Sequence, residues 1–169
     1  KDDEFISDEE LAQNAVVGAF GHRRAEGIAR ALEQVTSSVI ETSPARAESR
    51  ARDVVVARRI LAAFPNESVP RLLELYARGN AATKGNVVRA VGRVVGDDRV
   101  PRILQVALTD KSVCEDLSPE EMGRPLRVCD LAYNQLVLRL ALKGVLRTIS
   151  PAHSIAVRDH HIGVLKARL

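Results

Sequence analysis

Two stretches of this chain are near-copies of one another. "ESVPRLLELYARGN" (67–80) and "DRVPRILQVALTDK" (98–111) share Val-Pro-Arg-aliphatic-Leu at an offset of 31 residues. In each, a polar or acidic residue precedes an amphipathic run that contains an early proline. Proline is tolerated at a helix start because its missing N–H would have no intrahelical acceptor there. Both copies therefore read as first helices of a pair. After the first, "ATKGNVVRAVGRVVGDD" (82–98) reads as the second helix and closes on Gly96-Asp97. After the second, "RPLRVCDLAYNQLVLRLAL" (124–142) does the same and closes near Gly144. One such pair cannot bury its apolar faces alone, whereas neighbours stacked side by side build a continuous core.

Upstream, the pattern stays helical. "ISDEELAQNAVVGAFG" (6–21) has Ser7 or Asp8 as N-cap, acids in the first turn and Gly21 as a stop. "RRAEGIARALEQVTSSVIE" (23–41) places Ile28, Leu32, Val35 and Val39 on one stripe, and 45–64 is polar in its first half and apolar in its second. Of the 169 residues, 46% are apolar but only 3% aromatic, with no tryptophan, so Ala, Val, Leu and Ile must build the core. No apolar run approaches the roughly 18 residues that cross a membrane. The chain opens at Lys1 rather than at methionine and ends at Leu169 inside a helical pattern, which reads as a piece of something longer.

Pro70 and Pro101 in the first helices, Asp110 at the turn and "RAVGRVVGD" (89–97) closing a second helix together resemble the HEAT-repeat family. The resemblance covers 67–142 closely and 8–64 more loosely. It implies an all-α, right-handed superhelix of antiparallel helix pairs, seven or eight helices in total. With no Gly/Ser-rich linker, 8–169 reads as a single domain behind a tail of residues 1–7. The clearest repeats are 67–97 and 98–144.

One departure from the pattern is an insertion, 111–123, where a turn of a few residues would suffice. Loops of about a dozen residues are usually functional or pinned down, and "SPEE" (118–121) reads as a short capped turn within it. Cys114 lies early in this loop and Cys129 in the following helix. They are either a disulfide or two separate thiols, with Cys129 packed beside Val128, Ala132 and Leu136. A bridge would close a loop of about 15 residues, worth on the order of 3 kcal/mol. Val113 and Leu117 are expected to bury against the next helix and turn Cys114 toward it, which brings the cysteines within bridging distance. A bridge would place the chain outside the cytoplasm, in the periplasm or secreted; without one the cytoplasm is expected. Zinc would want four ligands, and no histidine lies near either cysteine in sequence. His153, His160 and His161 read as exposed helix residues, because adjacent His160 and His161 point about 100° apart on a helix.

No GxSxG, HExxH, phosphate-loop or dinucleotide fingerprint occurs, so no catalytic, cofactor-binding or metal residues are assigned. Gly85 and Gly92 read as helix-packing positions. Arg127, Asp130 and Asn134 either line the inner face of the stack or cap the loop by hydrogen bonds, the latter preferred. Net charge is +3, unevenly spread: the acidic cysteine loop lies between two basic stretches. In the third helix Arg46, Arg50, Arg52, Arg58 and Arg59 offer phosphate contacts. Glu48 and Asp53 interleave with them at pairing distance, and aromatic platforms for bases are scarce. A non-enzymatic scaffold follows, binding another protein through its concave face and the 111–123 loop. Arg52, Arg59, Arg127, Asp130 and Asn134 are its candidate surface. Nucleic-acid binding along the arginine-rich stretch is the alternative.

Overall fold

A computed structural model of the chain describes residues 23–37, 44–115 and 124–169. Among the described residues are seven α-helices: α1 (Arg24–Thr36), α2 (Pro44–Ala63), α3 (Pro65–Arg78), α4 (Ala81–Val91), α5 (Arg99–Ala107), α6 (Val128–Arg139) and α7 (Ile155–Lys166). Two short strands, β1 (Val113–Glu115) and β2 (Leu126–Arg127), pair antiparallel between α5 and α6. The fold is all-α apart from this ribbon. The helix expected over 6–21, the end of the one expected over 23–41, and residues 116–123 of the insertion lie outside the described residues.

Helices pair in chain order: α1 with α2, α3 with α4 and α5 with α6. The odd-numbered helices α1, α3 and α5 also touch in sequence, as do the even-numbered α2, α4 and α6, and α7 packs on α6. Central among them is α4, which lies against α1, α2, α3, α5, α6 and β1. Its composition permits that. Gly85, Val87, Val88, Ala90 and Val91 are all buried, and such small or β-branched side chains let neighbours approach from several directions.

Local chemistry sets the helix ends. Pro65 opens α3 at a position whose N–H would be unused. The Ser68 hydroxyl, fully buried, donates to the Leu61 carbonyl at 2.6 Å and ties the first turn of α3 to the last turn of α2. Asn80 caps α4 by accepting from the Thr83 N–H at 2.9 Å. The sequence carries α4 on to Gly96, but the helix stops at Val91. Past Val91 the chain tightens into i→i+3 hydrogen bonds, from the Arg93 N–H to the Ala90 carbonyl at 3.2 Å and from the Val94 N–H to the Val91 carbonyl at 3.0 Å, and Arg139 of α6 donates to the Val94 carbonyl at 2.5 Å. Gly96, at φ +77°, then makes the left-handed turn that non-glycine residues resist.

The two copies keep one register. Val69 and Val100 are buried, as are Leu72 and Ile103, while Arg71 and Arg102 face solvent. Of the residues expected inside, Leu72, Val91, Val94, Ile103, Leu104, Leu131 and Leu136 are buried, and Leu73 and Leu75 are half-buried at helix margins. Arg78 and Arg93 are exposed, as expected. All buried apolar residues, from Ile28 to Leu165, form one connected cluster. Leu104→Ala, at a site with no exposure, is expected to cost about 2–5 kcal/mol in urea unfolding. Arg71→Ala is expected to stay within about 0.5 kcal/mol. Equal effects at the two sites would show that the helix phases are wrong.

Candidate interaction surface

The chain reverses between α5 and α6 around Asp110. One carboxylate oxygen accepts from the Ser112 N–H at 3.0 Å and from the Ser112 hydroxyl. The other accepts from Lys84 Nζ at 3.0 Å and from the Tyr76 hydroxyl at 3.5 Å, while the Asp110 carbonyl accepts from the Cys129 N–H at 2.8 Å. Burial alone pushes the Asp110 carboxyl upward, but the hydrogen bonds from Ser112 and Lys84 outweigh it and hold the group below the usual carboxylate range. Burial and the facing Asp110 charge push the Tyr76 phenol up to about 12, so its hydroxyl stays a donor at neutral pH. This hub fastens α3, α4 and the start of α6 to one turn.

From there the chain runs into the ribbon, where Val113 pairs with Arg127 and Glu115 with Leu126 across a bulge. The ribbon corrects two expectations. Val113 does not bury against the next helix but is 46% exposed, and β2 rather than helix occupies Leu126–Arg127. Leu117 lies outside the described residues. No disulfide joins Cys114 to Cys129. Cys114 sits against α4, where a Cβ at Gly85 would come within 2.8 Å of its Cβ, and its thiol donates to the Leu126 carbonyl at 3.4 Å. Strand geometry fixes the direction of Cys114, and that direction leads to α4. Cys129 is buried in the first turn of α6, and burial, aided by the adjacent Asp130 charge, pushes its thiol up to about 11.

Arg127 and Asp130 are also interior residues, not an open surface. Asp130 has no exposure. Its carboxylate accepts from the Arg127 N–H at 3.1 Å and from the Arg127 side chain at 2.8 and 3.2 Å, forming a box across the N-terminus of α6. It also accepts from Arg158 of α7 at 2.9 Å. Arg158, which the sequence gave no reason to single out, is completely buried. Its Nε donates to the His153 carbonyl, Nη1 to the Pro125 carbonyl and Asp130, and Nη2 to the Arg124 and Pro151 carbonyls, at 2.7–3.0 Å. All five guanidinium hydrogens are thereby used. Arg127 continues the network outward to Asp159 at 2.8 Å, and Asp159 meets Lys111 at 3.4 Å. Burial would raise the Asp159 carboxyl, but hydrogen bonds from Arg127 and Lys111 outweigh it and lower it.

Asn134 is likewise a clamp: its amide donates to the Ile149 carbonyl at 2.8 Å and accepts from the Ile149 N–H at 2.7 Å. Neither Asp130 nor Asn134 caps the insertion as expected: Asp130 takes the Arg127 N–H, and Asn134 holds the 145–150 turn. Tyr133 donates to the Arg147 carbonyl at 2.9 Å and meets His161 Nδ1 at 3.3 Å, with His153 stacked on His161 at 6.1 Å. Only His160 of the three histidines is exposed; His153 and His161 are half-buried. Among the described residues no cluster of His, Cys, Asp or Glu is arranged to hold a metal ion.

The arginines of α2 do not form one phosphate-facing row. Arg46 and Arg52 are exposed, and Arg52 pairs with Glu48 four residues earlier at 2.8 Å. Arg50 donates to the Ser37 carbonyl, Arg58 reaches Asn86, and Arg59 is half-buried.

The described residues line at least three clefts. Leu32, Leu75, Arg71, Glu74 and Arg78 are among the residues lining one between α1 and α3. Leu73, Tyr76, Ile103 and Val106 line a second between α3 and α5, with Arg99 and Arg102 at its rim. A third joins the C-terminal ends of α4 and α6 around Val95, Gln135 and Leu138. No helix among the described residues is long and apolar enough to cross a membrane. No family model, curated protein or solved structure matches the chain.

Two predictions test the interior assignments. Arg158→Met or Asp130→Ala is expected to cost about 3–5 kcal/mol in urea unfolding, because each leaves a buried charge without its partner. Asp159→Asn, at the wet end of the network, is expected to cost under about 1 kcal/mol; a larger loss there would place the weight of the network at its surface. In native protein, Ellman's reagent is expected to modify Cys114 well before Cys129, and a mass lower by two hydrogens than the dithiol would reveal a bridge instead.

Proposed function

We propose that this chain is a non-enzymatic, HEAT-like helical-repeat scaffold that binds another protein. On this reading the helix pairs build a right-handed superhelix. Its concave side is the row of α2, α4 and α6, and residues 111–123 are the specific recognition element. The observation that carries the reading is the register shared by α3 and α5, with Val69 and Val100 inside and Arg71 and Arg102 outside. A stack of like pairs presents a wide, pre-formed surface that loses little freedom when a partner docks.

The disposition of the ionisable groups supports a binding role rather than a catalytic one. Asp110, Asp130, Arg127 and Arg158 are spent on one another and on backbone groups. They bind turns together instead of converging on an open cavity. Exposed Arg71, Arg93 and Arg102 lie on separate elements, so phosphates along one strand would meet them singly.

Cross-linking of the full chain to proteins from its native source, with mass-spectrometric mapping, tests the proposal. Cross-links from one partner are expected to cluster on α2, α4, α6 and 111–123. Tight DNA binding whose affinity falls steeply with salt, about one log unit per log unit of salt for each phosphate contacted, would replace this reading with the nucleic-acid one.

A further inference from the structure

The cleft between α3 and α5 differs from the other two in chemistry. Its walls are Leu73 and Tyr76 of α3 and Ile103 and Val106 of α5, and it encloses about 290 Å³. Val106 is 63% exposed, although it lies on a helix whose other aliphatic residues, Val100, Ile103 and Leu104, are buried. The Tyr76 hydroxyl is turned inward to Asp110, and Lys84 Nζ lies 5.5 Å from the ring centroid. The phenol's polar end is therefore committed to the hub, and its apolar ring is what remains for the cleft. A cleft of this size falls below the range of about 300–1,000 Å³ that encloses a drug-sized molecule. It suits one or two side chains delivered by a longer chain.

The rim decides what kind of chain. Arg99 grips Asp97 through both Nε and Nη2, at 2.5–3.2 Å, and is already neutralised. Arg102 is exposed and meets no carboxylate among the described residues. Arg30, Arg52 and Arg78, exposed on α1, α2 and α3, take glutamates at pairing distance on their own helices, whereas Arg71 of α3, like Arg102, meets none among the described residues. An apolar slot beside an uncompensated cation is complementary to an apolar side chain followed by an anion, and such matching governs both orientation and partner choice.

We propose that the α3–α5 cleft docks a short acidic segment of a protein partner, which inserts an aliphatic or aromatic side chain between Leu73, Tyr76, Ile103 and Val106 and places a carboxylate on Arg102. This rests on the protein-binding reading above and adds, to the contact expected on α2, α4, α6 and 111–123, a second one on the odd-numbered row of helices.

A displayed library of short random peptides, selected on the full chain, tests the assignment. Enriched sequences are expected to combine Asp or Glu with Leu, Ile, Phe or Tyr. In fluorescence polarisation with an enriched peptide, Val106→Glu should abolish binding and Arg102→Glu should weaken it about tenfold or more. Val95→Glu, at an exposed site in another cleft, should leave it unchanged. Because Val106, Arg102 and Val95 are all exposed, each variant should keep the parent helical circular dichroism and melting temperature. Enrichment of neutral or basic peptides, no enrichment, or binding indifferent to Val106→Glu and Arg102→Glu would overturn the proposal. So would self-association or DNA binding lost on Val106→Glu. A natural protein partner that ignores both substitutions would sink the cleft and spare the scaffold reading. Absence of any protein partner would sink the scaffold reading itself.

Discussion

The lower half of the molecule is organised around the carboxylate of Asp130. It receives the N–H and the side chain of Arg127, at the opening of α6, and the guanidinium of Arg158 that brings in α7. Through Arg158 it also fixes the backbone at Arg124, Pro125, Pro151 and His153. Two stretches, 124–130 and 151–158, thus converge on one anion and one cation. Such a pair need not make the fold more stable than well-packed apolar residues of the same volume would, because taking both ions from water offsets much of their attraction. Its effect is selective: any arrangement that separates the partners strands a charge in the interior. A layer made only of Val, Leu and Ala has many near-equivalent packings, and the Asp130–Arg158 pair singles out one.

The upper half relies on shape. Its hub, α4, touches five helices and a strand because its buried face is glycine, alanine and valine. At Gly85 the ribbon comes so close that a methyl group would collide with Cys114 and approach Leu131 to 3.3 Å. With no tryptophan and few aromatics, of which only Tyr133 is fully buried among the described residues, the core around α4 is filled by small side chains, and the layers approach closely there.

The repeated part of this fold was legible in the sequence because its signals are local. Val69, Leu72, Val100 and Ile103 declare their burial by spacing alone, and the prolines mark the helix starts. The helix expected up to Gly96 ends earlier, at a place the spacing does not mark: past Val91 the chain tightens into i→i+3 turns, and the Val94 carbonyl goes to Arg139 of α6. The insertion is unmarked as well. Three residues of strand turn Cys114 toward α4, and no pattern of three residues announces a strand. Arg158 was invisible because "RDHHIGVL" reads as a charged helix face, and its partners lie 28 or more residues away, except for the neighbouring turn. Asp110 was noticed only as a turn residue; Lys84, 26 residues earlier, makes it a hub.

The ribbon of β1 and β2 fastens the chain on either side of residues 116–123. Glu115 and Leu126 are paired across the ribbon, and the Val128 N–H is held by the Ser112 carbonyl at 3.0 Å. Helices α5 and α6 therefore receive their relative placement before the intervening residues are considered. Once two ends are fastened, the entropy of joining them grows only logarithmically with the length between, at about 0.6 kcal/mol per doubling. The connections from α2 to α3, α3 to α4 and α4 to α5 are short turns whose lengths set how one helix lies on the next. Between α5 and α6 length is decoupled from packing. This is a position where the lineage of such a chain is free to gain or lose residues while the helices behind it stay in place.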